Sequence, residues 1–348
     1  MSRRAVLAVA GVLVVVVAGL TAWRLVERRT ALQQALELAP DGTSRASWTD
    51  WAAVRREVGA DVGPGSSAEQ VDAFLAEAFP RDLSSMSALG TSAGVMQEEL
   101  GFSPATVSWE LLAQSGDGAV EVLGVGEDVD LDDVADRLGS LGWTEPDEDD
   151  GVWVGGPDVL SGVGSLTPEL QHVALLADEG LVLTSDQAAY LEEALDVVRG
   201  DRDGASDLAD VAGALDDPLA AATYDGAYAC EKLAMAQADD DAQAEADQLV
   251  EAAGGVHPLT GFAMGLQPDG AVRAVLQVED ADDAPDEAEA RALLASGPAP
   301  GQGGDFGDRF SVEQAGAQGR DVVLDLRPVA GQYVLSDLTS GPVLFATC

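Results

Sequence analysis

The chain is short of the residues that carry most nucleophilic and metal chemistry. Among 348 residues there are two cysteines, Cys230 and Cys348, and two histidines, His172 and His257. Lys232 is the only lysine, and aromatic residues make up 5% of the total. Two cysteines so far apart, without clustered histidines, do not make a zinc site. A serine or cysteine nucleophile needs a base to take its proton. His172 opens an apolar strand and His257 precedes Pro258, so each reads as a structural residue. No serine stands three positions before Lys232, which removes a Ser-x-x-Lys dyad. No nucleophile elbow and no P-loop are expected, and "GVGEDVD" fails the dinucleotide fingerprint. Scarce aromatics argue against a stacked-sugar cleft. No catalytic residue, metal ligand or cofactor site is therefore assigned.

Positive charge is equally scarce. The chain has 62 acidic residues against 18 basic ones. Arg3, Arg4, Arg24, Arg28 and Arg29 lie in the first 29 residues beside Glu27. The remainder thus holds 61 acids and 13 bases, a formal charge of −48. Such a body repels phosphates, because nucleic-acid binding draws on clustered Lys and Arg. Nucleic acid is excluded as a partner of the main body, and the acidity reads as a solvated surface. Calcium is the one ion to weigh, since it takes carboxylate oxygens. None of "TEPDEDDG", "DVDLDD", "DRDGASD" or "ADDDAQAEAD" keeps an EF-hand spacing, so no calcium site is predicted.

One segment lacks charge altogether. "AVLAVAGVLVVVVAGLTAW", Ala5 to Trp23, would span about 28 Å as a helix, close to the hydrocarbon thickness of a bilayer. Arginines flank it, and Trp23 stands where an interfacial aromatic belongs. The expectation is an uncleaved single-pass anchor, with the membrane as partner through residues 5–23. The rival is a cleaved signal peptide ending near "VAG", Val17 to Gly19.

After the anchor, "RLVERRTALQQALELAP" (24–40) reads as a helical stalk. "SWTDWAAVRREVGA" follows as a helix capped by Thr49, with Trp48 and Trp51 on one face. From about residue 104, β-formers take over. "ATVSWELLAQ" and "GAVEVLGVG" form a predicted hairpin about a Ser-Gly-Asp-Gly turn. "DLDDVADRLGSLG" is a helix with Asp130 as cap and Gly142 as stop. "HVALLADEGLVLTS" gives two strands, and "TSDQAAYLEEALDVVRG" a helix opened by a Thr184-to-Gln187 capping box. "RDVVLDLRP", "QYVLSDL" and "GPVLFATC" read as strands.

Residues 117–142 can be laid beside 269–297, both running Asp-Gly-Ala-Val, strand, acidic cap, helix and Gly. The fold class is therefore α+β: an N-terminal transmembrane helix, a helical stalk region, then a duplicated hairpin-plus-helix antiparallel ectodomain. The expected divisions are 1–29 for tail and anchor, 30–103 for the stalk and juxtamembrane region, and 104–205 for a first α+β unit. A second unit, 206–348, is closed by a C-terminal strand. Anchor, acidic α+β body and few cysteines together resemble membrane-anchored, secreted proteins of actinobacteria. That resemblance implies an envelope location and brings no catalytic residues.

Prenylation of Cys348 is not expected, because that motif needs three residues after the cysteine and "FATC" shows none. Zinc partners and a general base are missing, so the expectation is a Cys230–Cys348 disulfide and an oxidising compartment. Three functions compete. The leading one is a non-enzymatic, membrane-anchored envelope protein with an acidic extracytoplasmic binding or scaffold domain, its partner unidentified. The alternatives are a lipid or small-ligand carrier with an apolar cavity, and a hydrolase using paired carboxylates.

Overall fold

The computed structural model describes residues 29–348, of which Ala31–Cys348 form one compact unit. The predicted anchor, 5–23, lies outside the described residues. Among the described residues, no helix is long and apolar enough to cross a membrane.

The architecture is α+β, built on one antiparallel sheet of eleven strands. In chain order these are β1 (Arg45–Thr49), β2 (Val107–Gln114), β3 (Ala119–Val125), β4 (Val152–Val154), β5 (His172–Leu176) and β6 (Leu181–Ser185). The second half supplies β7 (Ala220–Asp225), β8 (Leu259–Leu266), β9 (Val272–Val278), β10 (Phe310–Gln318) and β11 (Asp321–Pro328). Across the sheet the order is β10-β11-β9-β8-β7-β1-β2-β3-β6-β5-β4. Outward from the centre, one half reads β1, β2, β3, β6, β5 and the other β7, β8, β9, β11, β10. The short β4 is added at one edge.

Both faces of this sheet are covered except along the edge strand β10, most of which is exposed, so the inner strands are apolar on both sides. One face carries α1 (Ala31–Leu36), α6 (Ala188–Val198) and α7 (Ser206–Ala212), packed on residues such as Trp48, Leu111, Val122 and Leu183. The other carries α2 (Trp51–Val58), α3 (Ala68–Ala78), α4 (Leu131–Leu141), α5 (Pro157–Val163), α8 (Asp240–Ala253), α9 (Ala284–Leu294) and α10 (Val334–Thr339). Strand side chains alternate between these two cores. β2 and β8 have eight residues each, and β3 and β9 seven. Each second strand is followed by a helix of eleven residues, α4 from Leu131 and α9 from Ala284. These starts are 153 positions apart (284 minus 131). The halves meet where β1 pairs β7, with Ser47 opposite Ala222.

Local chemistry explains several boundaries. Asp130 caps α4 through the amides of Asp132 and Asp133, and Gly142 ends it at φ 108°, as the sequence suggests. Elsewhere tertiary context decides. Arg45–Thr49, within the predicted stalk and juxtamembrane region 30–103, is the central strand rather than helix. The helix begins at Trp51 with Asp50, not Thr49, as its cap. Trp48 and Trp51 consequently point to opposite faces of the sheet. Trp48 stacks on Trp109 at 5.4 Å, and Trp51 meets Phe74 edge-on at 5.9 Å. Thr184 is a buried β6 residue and caps nothing, so the expected capping box is not formed.

The C-terminal strand is corrected as well. "QYVLSDL" contributes α10, and "GPVLFATC" a three-ten turn, Leu344–Ala346. Apolar runs this short carry no decisive periodicity.

Candidate functional site

Chain termini fray unless something ties them down. Here the disulfide does part of that: Cys230 lies in the helical turn Ala229–Leu233, and its Cα is 5.6 Å from that of Cys348. Phe345 packs against Phe306 and Phe310, with ring centroids 5.5 and 6.3 Å away. Arg291 of α9 does the rest. Its guanidinium is fully buried and donates to Phe345 O at 2.8 Å, Thr347 O at 3.0 Å and His257 O at 2.6 Å. The charge is met by Glu287 one turn earlier, 2.6 Å away and also buried. Burial pulls the Arg291 guanidinium down, and Glu287 opposes this.

Glu287 has a second partner. Its Oε1 accepts from the His257 amide at 2.7 Å and lies 2.9 Å from His257 Nδ1. His257 Nε2 lies 3.9 Å from Asp283. The ring borders an open cleft of about 690 Å³ between the end of α8 and α9, rimmed by Asp283, Asp286 and Glu289. No serine, threonine or cysteine lines it, so the His257–Glu287 pair has no side-chain nucleophile to activate. His172, the other histidine, is held below the usual range by burial, with Asp186 opposing. Among the described residues, no three acidic, histidine or cysteine side chains are grouped to hold a metal ion.

One G-x-S-x-G spacing does occur, Gly90-Thr91-Ser92-Ala93-Gly94. It is no elbow. Ser92 is 1% exposed, precedes a short helical turn without a strand before it, and its hydroxyl accepts from the Thr167 amide at 2.8 Å.

Two carboxyl groups lie on one face of the central strands, on β2 and β3. Glu110 accepts from Trp51 Nε1 and Ser87 Oγ, both at 2.8 Å, and from the Ala88 amide at 2.7 Å. Glu121 is fully buried, and among the described residues neither of its oxygens has a partner. Burial raises both groups above the carboxylate range. Glu110 is drawn back by its hydrogen bonds, whereas Glu121 is pushed further by Glu110 and Glu169. Both carboxyls are closed off from solvent.

They do affect stability. A folded state that binds the Glu121 proton more tightly than the unfolded chain loses stability as pH rises from the ordinary carboxylate value, about 4.3, toward the raised one. Glu121→Gln, which copies the protonated shape, is expected to melt higher than the parent at pH 8. The gap should close toward pH 4. Thermal melts between those limits check it, and parallel curves for the two proteins would refute it. For a domain of this size each kcal/mol recovered raises Tm by about 2 °C.

A different kind of cleft lies at the seam of the two halves. β1 is flanked by β2 and β7, and their register sets Gln114, Arg45 and Tyr224 in one row across three strands. The next row on the same face is Leu112, Ser47 and Ala222. Met86 and Ser85 from a loop and Thr339 at the end of α10 complete a pocket of about 210 Å³. Arg45 Nη1 donates to the Tyr228 hydroxyl at 2.8 Å, and its guanidinium lies 5.5 Å from the Tyr228 ring centre. Tyr228 stacks on Tyr224 at 5.6 Å, and Tyr224 on Phe262 at 6.0 Å.

No family model matches the chain. No curated protein matches it either. A solved structure titled "Structure of crystal form I of TP0453" is 7% identical, covers 89% of this chain and 97% of its own, and has a TM-score of 0.41. That likeness carries no argument about function.

The predicted disulfide is formed, and among the described residues no free cysteine remains. Part of the acidic stretches weighed for calcium works as helix caps: Asp130 on α4, and Asp239 on α8 through the Ala242 amide. The seam row was not legible in sequence, because Arg45 and Tyr224 are 179 positions apart (224 minus 45). The one available signal is the alternation of Arg45, Ser47 and Thr49 along a strand whose second half, from Ser47, falls in the segment expected to be helical.

Proposed function

We propose that the chain is a non-enzymatic, membrane-anchored envelope protein whose acidic α+β domain sits outside the cytoplasm and binds a ligand or partner. The observation that carries this is the disulfide joining its two cysteines, since such bonds persist in oxidising compartments. The uncharged run 5–23 supplies the single-pass anchor. The acidic surface suits a soluble domain held near, and not in, the headgroups. The matched strand orders and helix lengths of the halves support an internal duplication, with the seam between copies as the binding place. Actinobacterial secreted proteins of this build remain the style it resembles.

The test is fractionation of cells making the native chain, followed by protease treatment of intact spheroplasts and thiol titration. The expected result is a membrane-bound protein, cleaved from outside, with no free thiol and an N-terminus that retains residues 5–23. A cytosolic protein with two free thiols would overturn the reading. A native N-terminus near Leu20 would remove the anchor.

A further inference from the structure

The seam pocket differs from the other clefts in its charge. The cleft beside His257 is lined by Asp283, Asp286, Glu287 and Glu289. The one between β3 and α4 is lined by Glu127, Asp130, Asp132, Asp178 and Glu179. No carboxylate lines the seam pocket, in a body with 61 acids, and an arginine stands at its rim. Among the described residues Arg45 has no carboxylate partner, and it spends one donor on Tyr228. Of the other polar groups, Ser85 and Thr339 donate to the carbonyls of Asp82 and Ser336. Among the described residues, the Ser47 hydroxyl, the Gln114 amide and the Tyr224 hydroxyl make no hydrogen bond, although Tyr224 is only 5% exposed. Ser47 and Gln114 are half-exposed and Tyr224 is buried, so these open donors and acceptors face the pocket, and a few convergent polar groups are what fixes a ligand in such a cleft.

From this geometry we propose that the seam pocket binds a small anion, its carboxylate or phosphate group held by Arg45 and Tyr224, with Ser47 and Gln114 beside them. The chemistry fits in three ways. A guanidinium offers paired N–H donors to a carboxylate or phosphate, and Tyr228 behind Arg45 fixes its plane. Burial pushes the Tyr224 hydroxyl above its ordinary value, chiefly by desolvation, so it stays a donor. A volume of about 210 Å³ admits an anionic headgroup with a short apolar neighbour lying on Met86 and Ala222. The nearest acid in the chain, Asp225, is spent on the Tyr228 amide at 2.5 Å and does not line the pocket. The proposal deepens the reading of the domain as a binding module and is independent of its compartment.

The test is titration calorimetry of the purified protein with two probes, inorganic phosphate and benzoate, at low and physiological salt. Saturable one-to-one binding of either probe is expected. Preference for one of them tells a phosphate-bearing from a carboxylate-bearing ligand. Arg45→Gln should weaken binding by about tenfold or more, as expected for loss of a charge-assisted hydrogen bond. Tyr224→Phe keeps the aromatic stack and removes one donor, so a loss of about three- to tenfold is expected. Arg56→Gln, an exposed arginine elsewhere, should change nothing. Absence of saturable binding by both probes overturns the proposal, and so does undiminished binding by Arg45→Gln. If the probes fail while the native protein is membrane-bound without free thiols, the ligand class falls and the envelope reading stands.

Discussion

Arg291→Met is expected to destabilise the folded domain by about 3–5 kcal/mol, the range for breaking a buried ion pair by removing one partner. Arg291 and Glu287 are 0% and 3% exposed, so water cannot replace the lost charge. The substitution leaves the Glu287 carboxylate with His257 as its remaining partner. It also strips the carbonyls of His257, Phe345 and Thr347 of their donor. Methionine fills much of the space, so the loss measures the polar network rather than a cavity. Urea unfolding of the oxidised protein gives the value. A second variant separates the causes, because replacing both charged partners with apolar residues is often neutral. Arg291→Met with Glu287→Leu should recover part of the loss, the share due to the stranded charge. If it recovers none, the tail carbonyls carry the whole effect. If Arg291→Met alone costs under 1 kcal/mol, the clamp is not a stabilising element.

What could be read from the sequence was local. α4 declares itself through Asp130, the apolar spacing Leu131, Val134, Leu138, and Gly142, all within one helix, and it forms as expected. The hairpin of β2 and β3 closes on a turn whose residues are contiguous in the chain. The disulfide was accessible by elimination, since two cysteines leave one pairing. The illegible parts depend on partners far away in sequence. β1 is a strand because β2 and β7 occupy both its edges, and nothing within Arg45–Thr49 announces those neighbours. Trp48 and Trp51 satisfy helical spacing, yet the chain changes period between them at Asp50. The C-terminal run "GPVLFATC" looks like a strand by composition, but it pairs with neither edge strand, β10 nor β4. Arg291 claims its carbonyls instead. Register also makes the seam pocket: the row of Gln114, Arg45 and Tyr224 exists only once three strands are aligned.

Removal of the disulfide by Cys230→Ser with Cys348→Ser is expected to cost about 2–5 kcal/mol. The bond closes a separation of 118 residues. On the chain-entropy model a loop of that size accounts for about 4–5 kcal/mol through the unfolded state. The native tail should change little, because Arg291 and the Phe306–Phe310–Phe345 cluster still hold it. The two restraints are therefore partly redundant in the folded state, and combining their removal tests this. With Arg291→Met added, the tail has lost both, and its undocking becomes easier than strain within the docked form. The combined loss should then fall short of the sum of the separate losses, since undocking caps it. Hydrogen exchange supplies the local readout. The Val343 amide donates to Leu233 O at 3.0 Å, and those of Ala346 and Thr347 close the final turn. These amides should keep their protection in either parent variant and lose it in the combination, while β8 and β9 remain protected. Loss of protection in the serine variant alone would make the disulfide, and not Arg291, the element that places the tail.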